Sequence, residues 1–302
     1  MVPGHHHSNA VDLTVGGAGI LRYQSGSALD GRQSPRPFLH PVQTLSGTLV
    51  TDSEPPDHSH HLGISVAFSD VSGTNYWGGR TFKPGEGSNL LANHGRQQVT
   101  DVYSGKDSIS ENLDWIGADG GVQAIERRRI QVMRHADPRA WAMSISSTIR
   151  PADELDHLDV SSSAVKGRAG AGYGGIFWRF PRDARAELVL TEAGTGTDLA
   201  HGSPSPWLSL AAVVAGRRAS VVLAQDPGMT LPWFLRTEGY LGAGPAVAWD
   251  TSRTVSRHNP LNLALHAVVM DGAVDSPALA RRLLDLHPML RMQASQPALT
   301  HR

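Results

Sequence analysis

The chain has 302 residues, with 27 Lys and Arg against 28 Asp and Glu and a formal net charge of −1, so no broad basic field exists to hold nucleic acid or an anionic membrane. It contains 0 Cys, which excludes disulfides, thiolate nucleophiles, zinc fingers and Cys-ligated Fe–S clusters. The 15 His outnumber the 6 Phe and 5 Tyr together, the one unusual feature of the composition.

Met1 to Ala10 lacks an apolar core and does not read as a secretory signal. His5, His6 and His7 read as a tag remnant, and residues 1–10 are expected to form a disordered tail. The longest apolar stretches, such as Leu208 to Val214, fall far short of the ~20 residues of a membrane helix. A soluble, cytoplasmic protein is the expectation.

Along the chain, Arg36-Pro37-Phe38-Leu39-His40-Pro41 comes first. Its prolines hold the backbone extended and would aim Arg36 and His40, although an edge strand or loop with a surface His fits equally. A short loop, Ser53 to Asp57, leads into Asp57-His58-Ser59-His60-His61. On a strand His58 and His60 would share a face and His61 would oppose them; in a loop all three could converge. Imidazole titrates near neutrality and ligates divalent metals, so the cluster suits acid–base chemistry or a metal. A polar, solvated loop is the bland alternative. HExxH is absent, which removes the helix-borne zinc protease. Asn75-Tyr76-Trp77-Gly78-Gly79 sets an aromatic beside two glycines, fit for a wall against a sugar face or for a plug at one end of a sandwich. His94 completes the histidine-rich stretch.

Ile116 to Val122 (IGADGGV) signals a hairpin. Glu126 precedes Arg127-Arg128-Arg129 in a strand, as a carboxylate for the His cluster or half of a cross-strand ion pair. From Trp141 to Ile149 the odd positions are mostly apolar and the even ones small or polar, a strand with one buried face. Tyr173-Gly174-Gly175-Ile176-Phe177-Trp178-Arg179 places aromatics and Arg179 after a flexible turn, and Leu231-Pro232-Trp233-Phe234 is a rigid aromatic corner. Arg179 is a bidentate donor for a carboxylate or sugar hydroxyls, or a surface ion-pair partner. Ala215 to Arg218 reads as a second hairpin, and Leu263, Leu265, Ala267 and Val269 repeat the alternation. Ser276-Pro277 supplies an N-cap and first-turn proline before Leu279, Leu283 and Leu286. No G-x-S-x-G elbow and no phosphate loop appear. These elements predict an all-β protein: one large antiparallel β-sandwich over residues 11–290, one short C-terminal helix, and a tail over 291–302.

R-P-F-L-H-P (36–41), D-H-S-H-H-L-G (57–63), N-Y-W-G (75–78), Y-G-G-I-F-W-R-F (173–180) and L-P-W-F (231–234) occur in this order. Together they resemble the bacterial family often labelled "methane oxygenase PmoA", over most of the chain from about Leu21 to Leu286. That label conflicts with the sequence, since a particulate methane monooxygenase subunit is a membrane helical protein. The resemblance implies a galactose-mutarotase-like β-sandwich and a functional link to sugar dehydrogenases of the Gfo/Idh/MocA type. By family pattern His40, His58, His60, His61 and His94 match recurring positions. Ser59 and Leu62 stand where a larger residue and an Arg are expected, and Gly172 where an Asp is expected.

The resulting expectation is an enzyme acting on a sugar or keto-sugar by isomerisation, elimination or hydration. Its catalytic residues would be His40, His58, His60, His61 and His94. Arg36, Trp77, Tyr173, Arg179 and Trp233 would bind substrate. A divalent Mn, Zn or Fe is an option, with His58, His60, His94 and Glu126 as candidate ligands. The competing classes are a non-catalytic carbohydrate-binding sandwich and a metal-dependent oxygenase, the latter needing two His and a carboxylate at one metal.

Overall fold

The computed structural model describes residues 9–294; His5–His7 and most of the two expected tails lie outside the described residues. Two antiparallel sheets face each other. The seven-stranded sheet runs Ala10–Val15, Ala18–Gln24, Phe38–Val42, Ile64–Phe68, Gly174–Arg179, Gly242–Pro245, Trp233–Arg236 in spatial order. The nine-stranded sheet runs Gly194–Thr195, Arg185–Thr191, Trp207–Val214, Arg217–Ala224, Leu261–Asp271, Ala140–Pro151, Val122–Arg134, Ser108–Ile116, Arg96–Ser104. A three-stranded sheet and the small hairpin Thr81–Lys83/Gly87–Asn89 sit beside them. The fold is an all-β antiparallel sandwich, as the alternating segments predict.

The core is where the period of two leads. Trp141, Met143, Ile145 and Ile149 point between the sheets, and so do Leu263, Leu265, Ala267 and Val269 from the adjacent strand. A register slip of one residue would turn all of them outward. Each large side chain so buried contributes about 1.5–3 kcal/mol, which fixes the pairing Ile145↔Leu265. The opposite face of this sheet is also covered. Val222, Val268 and Met270 pack under helix Pro277–Asp285 through Ala280, Leu283 and Leu284. The Ser276 hydroxyl caps that helix, accepting from Leu279 N at 3.3 Å. A second short helix, Pro288–Ala294, follows; no sequence signal had pointed to it.

Both expected hairpins form. Ile116 pairs with Val122, and Val214 pairs with Arg217. In the second, Ala215 and Gly216 both have positive φ, 48° and 76°, the primed turn whose twist matches the flanking strands.

The nine-stranded sheet also carries an acidic knot into the interior. Glu126 and Arg128 lie two apart on one strand and so share its inward face. Arg128 Nε donates to Glu126 Oε1 at 2.7 Å, Trp115 Nε1 to Glu126 Oε2 at 2.8 Å, and the Ser147 hydroxyl to Glu126 Oε1 at 2.6 Å. Glu111 accepts from the Tyr23 hydroxyl at 2.5 Å, and its other oxygen faces Arg128 Nη1 at 3.3 Å. Glu126 is therefore no partner of the histidines. Its two oxygens are saturated inside the sandwich, and the pair it forms is along the strand, not across it.

Candidate functional site

The site lies on the outer face of the seven-stranded sheet. Along Gly174–Arg179, Ile176 and Trp178 turn inward, so Phe177 turns out. Along Trp233–Arg236, Trp233 and Leu235 turn inward and Phe234 turns out. Phe177, Phe234, Ala67 and Ala246 form a separate apolar floor with Trp77, bordered by Tyr173 and Tyr240.

Two loops complete it. The first, residues 52–63, closes on itself: Gly63 N donates to Asp52 O at 2.8 Å and Glu54 N to His61 O at 2.9 Å. His61 N reaches back to His58 O at 2.8 Å, a tight turn that swings three imidazoles onto one side. Ring centroids are 4.7 Å apart for His58–His61 and for His60–His61, and 5.9 Å for His58–His60. The loop alternative to a strand is thus the one adopted, and the three rings converge. The second loop is shaped by Asn75. Its Oδ1 accepts from Trp77 N at 2.8 Å and Gly78 N at 2.9 Å, an Asx turn that sets the indole against Tyr173 and Phe177 at 4.7 and 4.9 Å. Gly78 and Gly79 have φ of 92° and 68°, and a Cβ on either would meet His60 at 2.7 Å. Glycine is needed there because the His60 side chain lies directly on the backbone.

The cleft, about 410 Å³, is lined by His58, His60, His61, Trp77, Tyr173, Phe234 and Tyr240, with Arg80, Arg168 and Arg236 at its rim. Its volume lies in the range of small-molecule sites. Burial drives His60 down to about 3, helped by the positive charge of Arg36 and the neighbouring histidines. Burial also holds His61 well below its ordinary value, and its Nδ1 is buried with no hydrogen-bond partner. Both rings are neutral near pH 7. At the mouth, Asp57 Oδ2 lies 3.0 Å from His58 Nδ1. That hydrogen bond holds the Asp57 carboxyl below its ordinary value and leaves Nε2 as the free nitrogen of His58. Tyr240 packs on His61 at 4.9 Å and His58 at 5.3 Å; burial pushes its hydroxyl up to about 12.

The other expected site residues separate into three groups. Arg36 and Arg179 stand behind the wall and do not line the cleft. Buried Arg36 donates to three carbonyls, Gln33 at 2.9 Å, Ser34 at 3.0 Å and His60 at 2.8 Å, and so suspends the histidine loop. Buried Arg179 donates to Phe180 O and Leu241 O and lies 4.9 Å from the Tyr240 ring centre. The second group comprises His40 and His94. His40 Nδ1 is 3.0 Å from the Thr51 hydroxyl, away from the cleft. His94 Nε2 donates to Gly79 O at 2.7 Å and borders a neighbouring hollow. Neither belongs to the cleft-lining set, contrary to expectation, because each ring is tied to its own loop. Trp233 forms the third group: it is fully buried between the sheets and its Nε1 donates to Ser205 O at 2.7 Å. It is a plug, and Phe234 takes the surface position assigned to it.

The residues that sequence reasoning missed are Phe234, Tyr240, Arg80, Arg168 and Arg236. Alternation shows that Trp233 and Phe234 oppose each other but not which of them faces the core. Nothing in Thr237-Glu238-Gly239-Tyr240 signals a site.

The four candidate metal ligands are not brought together. Glu126 is sealed between the sheets and His94 Nε2 is spent on a carbonyl. Among the described residues no group of three or more His, Asp or Glu side chains is arranged to hold a metal ion. Among them, too, no helix is long and apolar enough to cross a membrane.

Fold and cleft together define an all-β sandwich with a histidine-lined cleft on one outer face. Residues 10–284 match the family of unknown function DUF6807, and the chain belongs to that family. No curated protein matches it. Among solved structures, one similar chain is a protein from the human microbiome provisionally assigned as a kojibiose phosphorylase, at 8% identity and TM-score 0.37. That match covers 92% of this chain and 29% of the other, so this chain spans under a third of that protein's length. Another is a provisionally assigned aldose 1-epimerase from Escherichia coli K12, at 9% identity and TM-score 0.40, covering 86% of this chain and 98% of the other. At TM-scores this low the architecture is read from this chain's own sheets.

Proposed function

We propose that the protein is an enzyme that moves a proton on a sugar or keto-sugar, in an isomerisation, elimination or hydration. The observation that carries this is the Asp57–His58 pair at the mouth of a cleft walled by Trp77, Tyr173 and Phe234. Aromatic faces suit the C–H face of a sugar ring. Asp57, accepting from Nδ1, orients His58 so that Nε2 takes the proton from carbon beside a carbonyl or hemiacetal. His60 and His61, held neutral, offer or accept hydrogen bonds to hydroxyls without competing for that proton. No step in this scheme passes through a metal.

The test is NMR of aldoses, keto-sugars and uronates in D2O with the intact protein, following deuterium incorporation and product formation. His58→Ala should lower turnover by about 10²–10⁴-fold, the usual contribution of a positioned acid or base. Because His58 is half exposed, the same change should cost within about 1 kcal/mol of stability. Trp77→Ala should weaken binding instead. Saturable binding with no chemical change across the panel, and no effect of His58→Ala, would make the protein a carbohydrate-binding module and overturn the enzyme.

A further inference from the structure

The charge around the cleft is one-sided. Three arginines, Arg80, Arg168 and Arg236, line it, and the single carboxylate among its lining residues, Asp57, is engaged by His58. Arg168 and Arg236 are exposed and form no ion pair with a carboxylate among the described residues. Arg236 lies 5.6 Å from the Tyr240 ring centre, and Arg179 approaches the same ring from behind with its Nε buried and unpartnered. The loop bearing Arg168 is anchored by the Lys166–Asp70 ion pair at 2.6 Å. Three guanidinium groups thus line the cleft, and two more, Arg36 and Arg179, stand behind its wall, against one lining carboxylate that is hydrogen-bonded to His58.

Five backbone amides around the cleft are already spent. Those of His58, His61, Trp77, Gly78 and Gly79 donate to Pro55 O, His58 O, Asn75 Oδ1 twice and Arg32 O, so none of these five is free to wrap a tetrahedral phosphate. Anion recognition falls to planar guanidinium forks, which match the two oxygens of a carboxylate.

Resting on the enzyme assignment above, we infer that the ligand of this cleft is a sugar acid, its ring against Trp77 and Tyr173 and its carboxylate held by Arg168 and Arg236.

The experiment is calorimetric titration of the full chain with D-glucuronate, D-galacturonate and D-mannuronate. The controls are the parent hexoses, the uronate methyl esters and glucose 6-phosphate. At least one uronate should bind about tenfold or more tightly than its parent and its ester, with an advantage that shrinks as salt rises. In the double variant Arg168→Gln/Arg236→Gln that preference should vanish while the parent hexose binds as before. The methyl esters test the same point in unaltered protein. Equal binding of uronate, ester and hexose overturns the sugar-acid assignment but leaves the carbohydrate enzyme standing. Tighter binding of the phosphate than of every uronate overturns the carboxylate. Absence of binding by every sugar overturns both.

Discussion

Two polar clusters lie on opposite sides of one sheet, and they are built on opposite rules. In the knot between the sheets, Arg128 stands between two carboxylates, and Tyr23, Trp115 and Ser147 fill most of the remaining hydrogen-bonding positions. Behind the outer cleft the buried cations Arg36 and Arg179 donate to carbonyls and a hydroxyl and to no carboxylate, and His61 Nδ1 and Arg179 Nε are left unpartnered. A buried polar group left open is costly. The knot meets most of that cost by internal pairing, with Glu111 Oε1 held by the Arg128 charge and without a hydrogen bond, while His61 Nδ1 stays open in a wall that lines the cleft. The difference teaches where to look for chemistry: the cluster paired on itself is scaffold, and the cluster with an open nitrogen in a cleft wall is the candidate site.

The sharpest way to break the comparison is Arg128→Met. It strands two buried carboxylates and should cost about 3–5 kcal/mol in urea unfolding, whereas Arg236→Gln at the cleft rim should stay within about 0.5 kcal/mol. Similar costs for the two would mean the knot is not the scaffold element described. Gly79→Ala should have an intermediate effect, about 1–3 kcal/mol, because a left-handed residue gains a Cβ beside the His60 ring. It should also remove turnover, and retained turnover would detach His60 from the site.

The smallest effect is in the pH dependence, where the two clusters pull in opposite senses. His60 and His61 titrate far lower folded than unfolded, so the unfolded chain takes up protons first. Stability should be full above about pH 6.5 and fall toward pH 3, and His60→Asn should flatten that limb. Burial raises the Glu111 carboxyl to about 7, so its contribution is full below the ordinary carboxylate range and is lost as pH rises toward 7. Glu111→Gln should remove that loss between about pH 4.5 and 7. Thermal melts from pH 4 to 9 read both, and a His60→Asn protein with an unchanged acid limb would contradict the burial of that ring.

Much of the scaffold was legible because strand burial has a period of two. Trp141–Ile149 announced its inner face without any partner in view, and Ser276-Pro277 announced a helix start by chemistry local to four residues. The histidine triplet was legible as a density but not as a shape. Its convergence depends on the His61 N to His58 O turn and on Arg36 reaching the His60 carbonyl, contacts with no local signature. Trp233 was misassigned because alternation carries no absolute phase; the core claims whichever side chain meets the opposite sheet. Glu126 was misassigned because its partner, Arg128, sits two residues on and shares its inward face. Arg168, Arg236 and Tyr240 left no trace, since a rim is set by which strands end beside one another.

The pairing that seats Phe177 opposite Ser65 joins strand Ile64–Phe68 to strand Gly174–Arg179, segments from distant parts of the chain, and Trp233–Arg236 joins this sheet later still. Non-local pairings of this kind close slowly. The cleft therefore cannot exist on a half-made molecule. Residues 52–79 leave the ribosome early with three histidines and a tryptophan but no floor beneath them, and ligand binding becomes a late event in folding, available only once the last strand of that sheet has docked.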